Sequence, residues 1–195
     1  MMYILSDDDF FSLGVRSVFR KAGEEVSVLL FDRDSWRTQV SKIDDGDILL
    51  LAVDFIDVVN EILQGVSGKD IKICLFINSA SGYDSFTGAQ GIVSRGIPLN
   101  LIVWAVNRAV RKNALRRITE RLTPAERVVM DQLATGLTVS QVATCLNVGE
   151  KTVYSHKRRA TERMGINKLK ARSVLIYDCV KHLFSHPAVD DCVKV

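Results

Sequence analysis

The sequence predicts an α/β domain built on a doubly wound parallel sheet, followed by a small all-α domain. Three observations carry that prediction. Short apolar runs of strand length alternate with stretches of helical spacing over residues 1–107, the pattern of strands buried on both faces and joined by helices. Two helix-opening signatures then follow, Thr123-Pro124-Ala125-Glu126 and Thr138-Val139-Ser140-Gln141, each with a hydroxyl at the cap and an acid or amide three residues on. The charge divides at the same place: residues 1–107 hold 9 Lys/Arg against 15 Asp/Glu, net −6, and residues 108–195 hold 17 against 8, net +9, within an overall +3. A basic half beside an acidic half points to a polyanion partner for the first and a regulatory or solubilising role for the second.

Composition excludes several classes. At 195 residues, 47% hydrophobic and 25% charged, the chain is long enough for two small cores and is not of disordered type. The apolar run of residues 48–53 stops at Asp54, far short of a membrane span, and the N-terminus reaches Asp7, Asp8 and Asp9 without a basic n-region or a small-residue cleavage site. A cytoplasmic protein with no membrane partner is expected. Cys74, Cys145, Cys179 and Cys192 lie far apart with no C-x-x-C pair, which argues against a disulfide framework and fits a reducing compartment.

In chain order, residues 2–6 read as a short buried strand that breaks into the acidic turn, and a helix follows on Phe11, Val15, Val18, Phe19 and Ala22. Residues 26–31 are strand-like, 35–40 helical, 48–53 a continuous apolar strand, 55–63 helical and 71–77 another strand. Residues 79–91, with three glycines, read as a loop or weak helix, Ile92 and Val93 as a short strand, and Pro98 opens a longer helix containing Leu101, Ile102, Ala105 and Val106. From 108 to 121 six basic residues accompany one acidic residue with no Gly or Pro, predicting a basic helical linker whose charges face solvent and phosphate.

Beyond the linker, Thr123 caps a helix with Pro124 at its first position and Glu126 closing a capping box, Val128, Val129, Leu133 and Ala134 on its apolar side, and Gly136 past its end. Thr138 and Gln141 open a second, short helix with Val142, Ala143 and Leu146 on its core face, and residues 147–149 make the turn. In residues 148–164, at about 3.6 residues per turn, Val153, His156, Ala160 and Met164 share one narrow stripe while Lys151, Tyr154, Ser155 and Arg158 lie on the far side. Gly165 ends this helix, and Asn167 caps a last one carrying Leu169, Val174, Leu175, Tyr177 and Val180. Short helix, turn and basic amphipathic helix make a helix-turn-helix, the arrangement that places side chains in a major groove.

The residues 122–127 (LTPAER), 133–138 (LATGLT), 141–143 (QVA), 146–148 (LNV), 151–153 (KTV) with His156, and 164–166 (MGI) resemble the LuxR/GerE-type DNA-binding domain of NarL/FixJ-type regulators. The resemblance spans residues 120–182. It implies a four-helix helix-turn-helix domain whose third helix reads the major groove and whose fourth commonly forms a dimer contact on inverted-repeat sites. By that resemblance Tyr154, Ser155 and Arg158 match base-facing positions, and Lys151, Thr152, Ser140 and Arg159 match phosphate contacts. Gly149 stands where a Ser cap is usual, and glycine caps nearly as well. His156, on the packing face, is expected to be structural.

Residues 1–107 resemble the receiver domain of bacterial response regulators, a flavodoxin-like (βα)5 fold, in layout and in the stretch of residues 6–14, SDDDFFSLG, which tracks the family's Asp-Asp-His-Pro-Leu-Phe-x-x-Gly opening. In receivers two acidic residues after the first strand hold Mg²⁺, an Asp after the third strand accepts phosphate, a Ser/Thr follows the fourth and a Lys the fifth. With Gly14 fixing the register, that acidic pair becomes Ser6 and Asp7. Asp47 at the start of the third strand puts Ala52 at the phosphoacceptor, with Asp54 two residues later, and Gly91 puts Arg95 at the lysine. The Ser/Thr position falls near residues 77–79. Displacement of a carboxylate by two strand residues moves it about 6–7 Å, too far for in-line transfer. The expectation is a degenerate pseudo-receiver with no intact phosphoacceptor. A working site of Asp54 with Asp7 and Asp8 is the alternative, set against turn and capping roles for these carboxylates.

Cys179, His182, His186 and Cys192 have the ligand types of a zinc site, but Pro187 and the acidic Asp190 and Asp191 read as a frayed tail over 185–195, so no metal is expected. No cofactor is expected, and with no nucleophile–base pair and no Walker or Rossmann phosphate loop, neither is an enzyme. The partners expected are double-stranded DNA carrying an inverted-repeat operator and a second copy or another regulator, with RNA polymerase a further candidate. Three readings stand: a phosphorylation-independent transcription regulator, a two-component response regulator phosphorylated on Asp54, and an auxiliary regulator acting through heterodimerisation.

Overall fold

Five strands, β1 (Met2–Ser6), β2 (Ser27–Leu30), β3 (Ile48–Ala52), β4 (Lys72–Ile77) and β5 (Ile92–Ser94), pair in parallel in the order β2-β1-β3-β4-β5. This is the flavodoxin-like order, in which ligand-binding residues gather at the carboxyl ends of the strands. The computed structural model describes residues 1–32, 35–78, 91–111, 113–115, 117–166, 169, 172–181 and 183. The 79–90 segment, Asn167 and the 184–195 tail lie outside these, and so do the expectations that fall on them.

The central strands are apolar throughout because both faces are covered, and their alternation divides the core. Leu49 and Leu51 face helices α2 (Trp36–Val40) and α3 (Ile56–Gly65). Leu50 and Ala52 face α1 (Asp9–Lys21) and α4 (Leu99–Arg111), where Phe19, Ile102 and Ala105 are buried. Leu101, expected inside, is exposed, and the buried side of α4 continues through Ala109 and Val110 instead. The helix therefore runs past residue 107, where composition divided the chain.

The second unit consists of α5 (Pro124–Ala134), α6 (Val139–Leu146), α7 (Glu150–Met164) and α8 (Arg172–Lys181). Both capping boxes form: Thr123 with Glu126, and Thr138 with Gln141. Asn147, with φ 52°, turns the chain between α6 and α7, and Gly165, with φ 70°, ends α7 in the left-handed region that glycine enters without a steric penalty. Val128 and Leu175, assigned to apolar faces, are exposed; Met130 and Ile176 are the buried residues next to them in spacing.

The linker departs from expectation. Helix α4 ends at Arg111, Asn113 takes φ 46°, and the described residues 113–115 and 117–121 are turns rather than helix. Three apolar side chains explain this: Ala114, Leu115 and Ile118 are buried, and a straight solvated helix would leave them in water. Leu115 lies directly over Gly91, where a Cβ would come within 2.5 Å of the Leu115 nitrogen. One apolar cluster continues from α3 and β4 through Leu115, Ile118 and Leu122 into α5, α7 and α8. Helix α8 packs on α3, with the Cys179 Sγ 3.7 Å from the Ile56 carbonyl oxygen. Burial pushes the Cys179 thiol up to about 12, so it stays protonated and inert at neutral pH.

Candidate nucleic-acid interface and the receiver-like pocket

Helix α7 has two faces of opposite chemistry. Val153, Ala160, Thr161 and Met164 are buried and His156 is half-buried, while Lys151, Thr152, Tyr154, Ser155, Arg158 and Arg159 are all exposed. Lys151, Ser155, Arg158 and Glu162 form the outermost stripe at helical spacing, with Arg159 and Tyr154 flanking it. The N-cap is Gly149 and no side chain caps the first turn, so the N–H groups there are open to an anion beside the Lys151 ammonium. Ser140 is exposed in the first turn of α6. The α6–α7 pair thus presents hydroxyls, a phenol and cations to solvent from a rigid base. That base includes a buried carboxylate, Glu126, which accepts from the Thr123 N–H at 2.9 Å and pairs with Arg163 at 3.2 Å. It also includes Tyr177, whose hydroxyl donates to Asp131 at 2.7 Å. Burial first, and then that bond, raise the Tyr177 pKa.

At the carboxyl ends of β1, β3, β4 and β5 four polar residues converge. Arg95, directly after β5, donates from Nη2 to Asp7 Oδ1 at 2.8 Å and to the carbonyl oxygen of Ala52, and its Nη1 stands 3.7 Å from Asp54 Oδ2. The other Asp7 oxygen accepts the Asp54 backbone N–H at 2.7 Å, and Asn78 Nδ2 donates to Asp54 Oδ2 at 2.6 Å. The Arg95 and Asp7 side chains are 9% and 13% exposed, Asp54 40%. Asp54 reaches this cluster because β3 ends at Ala52 and the chain bends there, whereas the displacement argued from sequence assumed a continuing strand. Asp8 does not join it: its carboxylate caps α1 by accepting from the Phe11 N–H at 3.0 Å.

The Mg²⁺ that the receiver resemblance implies does not fit these residues. Both oxygens of Asp7 are engaged, Ser6 Oγ accepts the Asp8 N–H, and the guanidinium of Arg95 supplies the positive charge a metal would bring. Among the described residues no group of three or more His, Cys, Asp or Glu is arranged to hold a metal ion. His182, His186 and Cys192 lie outside them. Among the same residues no helix is long and apolar enough to cross a membrane.

Residues 120–175 match the family model for bacterial regulatory proteins of the luxR family, GerE. This segment is a LuxR-type domain. None of the curated proteins compared matches the chain. Solved structures similar to it include RcsB from Salmonella enterica serovar Typhimurium bound to promoter rprA in the presence of the phosphomimetic BeF3⁻, at 20% identity over 90% of this chain and 97% of that one with a TM-score of 0.42. Others are the response regulator StyR, at 16% identity over 90% and 97% with a TM-score of 0.40, and full-length FixJ from B. japonicum, at 16% identity over 91% and 96% with a TM-score of 0.38.

Within the LuxR-type domain all the residues named from the sequence as DNA contacts are solvent-facing on α6 or α7. Sequence reasoning missed three participants. Asn78 follows the fourth strand and supplies an amide where a hydroxyl was sought. Arg172, at the start of α8, reaches across to the Asn78 carbonyl oxygen at 3.5 Å and lines a small cavity with Asp54, Val59 and Ile176. Glu162 lies on the outward stripe of α7, where i,i+4 spacing to Arg158 was the available signal.

Proposed function

We propose that this protein is a sequence-specific DNA-binding transcription regulator that works without phosphorylation and reads the major groove with α7. The observation that carries the reading is the outward face of α7: bidentate-capable Arg158 with Tyr154 and Ser155 in reach of base edges, and Lys151, Thr152, Arg159 and Ser140 around them for phosphate. The Asp7–Arg95 pair supports independence from phosphate, since both oxygens of Asp7 are engaged within the chain and Arg95 brings the positive charge a metal would bring. Control is assigned to the receiver-like half through contact with α8. That helix is the dimer element of the resembled family, and its Ile176 and Cys179 are buried in this structure. Binding as a homodimer to an inverted repeat then requires this contact to open.

The test is selection and footprinting with the purified full-length chain alone, with sizing on and off the selected duplex. A protected inverted repeat with two chains bound is the expected result. A specific footprint that forms only when a second regulator is added would favour the auxiliary reading. Incubation with acetyl phosphate and Mg²⁺ is expected to leave the intact mass unchanged; a stoichiometric acid-labile phosphate on Asp54 would restore the phosphorylated response regulator.

A further inference from the structure

Arg158 is not a free cation on the reading face. Its Nε donates to Glu162 Oε1 at 2.8 Å, and among the described residues Nη1 and Nη2 have no partner. We propose that Glu162 is a positioning residue for DNA recognition. It holds the Arg158 guanidinium by its inner edge so that the two terminal amino groups face one base pair. The proposal rests on the reading of α7 as the base-reading helix.

Two simpler roles for Glu162 are disfavoured by its surroundings. As a helix stabiliser it is badly placed: it lies two residues before the C-terminal Met164 of α7, at the negative end of the helix dipole, and Arg before Glu is the weaker order for an i,i+4 pair. Both side chains are also largely in water, 79% and 42% exposed, where an ion pair contributes little. As a contributor to general DNA affinity it has the wrong sign, because a carboxylate on the outward stripe repels phosphate. What remains is its effect on Arg158. A long side chain that binds a base in one geometry loses rotamer freedom on binding, and a partner that holds this geometry beforehand removes part of that cost. The planar fork leaves Nη1 and Nη2 as parallel donors, the pair that matches guanine O6 and N7.

The experiment uses the full-length protein, a duplex it selects from a randomised library, the single-base variants of that duplex, and a scrambled duplex. Glu162→Ala is expected to narrow the selected-to-scrambled affinity ratio about twofold to fivefold. The loss should fall on the base pair whose preference Arg158→Ala also flattens, while scrambled DNA binds as well or better. Glu162→Gln, which keeps an oxygen acceptor for Nε, retains most of the preference. In the Arg158→Ala background, Glu162→Ala changes no base preference. Uniform tightening with base preferences intact would make Glu162 a plain negative charge, and a loss at a different base pair would make it a direct reader; either overturns the proposal. Failure of Arg158→Ala to flatten any base pair would instead overturn the α7 reading itself, and this inference with it.

Discussion

Arg158→Ala is expected to flatten the protein's preference among DNA sequences at one base pair, costing about 1–3 kcal/mol of discrimination there, while its binding to scrambled DNA falls only slightly. Lys151→Ala should behave oppositely. The ammonium stands at the open N-terminus of α7, and in the proposed function it meets a phosphate, which every sequence presents. Its loss is therefore expected to weaken all duplexes alike and to lower the slope of log affinity against log salt by about one. Affinity titrations of both variants against the selected duplex and its single-base variants, at three or more salt concentrations, separate the two roles. Equal and sequence-independent losses from both would contradict the division of α7 into base-reading and phosphate-holding positions.

Arg95→Met should be the most destabilising of these substitutions. It removes the cation paired with Asp7, itself 13% exposed, so that among the described residues Asp7 keeps the Asp54 backbone N–H and Asp54 keeps the Asn78 amide. A carboxylate so placed, stripped of its cation and left with one hydrogen bond, costs about 2–4 kcal/mol, which for a chain of this size is a fall in Tm on the order of 10 °C. The Asp54 pair is partly in water and adds little to that figure. Millimolar Mg²⁺ is expected to recover part of the loss in the variant, because Asp7 Oδ1 becomes a free hard ligand, and to leave the wild type unchanged. Thermal melts with and without Mg²⁺ check both statements. A wild-type response equal to the variant's would mean that Arg95 does not occupy the place of the metal.

These two expectations differ in how they could be reached. The outward face of α7 is written locally: a hydroxyl followed three residues on by an acid or an amide opens α5 and α6, Gly165 closes α7, and a period near 3.6 separates Val153, Ala160 and Met164 from Lys151, Ser155 and Arg158. Register within one helix follows from neighbouring residues, so the face was legible down to single side chains. The pocket was legible only as a set of departures, Ser6, Ala52 and Arg95 standing where other residue types are usual. How those departures resolve depends on contacts such as Arg95 to Asp7, 88 residues apart, and on the bend after β3. The same holds for the linker. Its six basic residues suggested a solvated helix, and the three apolar ones between them decided for turns, because covering Gly91 and closing the core outweigh continuation of α4.

By itself, then, the sequence determined the order of the strands and helices on either side of the linker, the boundary between the acidic and basic halves, and the outward face of α7, since each depends on charge, capping or periodicity within a few residues. Only the tertiary structure decided that Arg95 closes the acidic pocket, that Asp8 caps a helix instead of joining it, and that α8 lies against α3. Those outcomes come from side chains far apart in the chain competing for the same charge or the same buried surface, and such competition is settled only when the strands have brought them together.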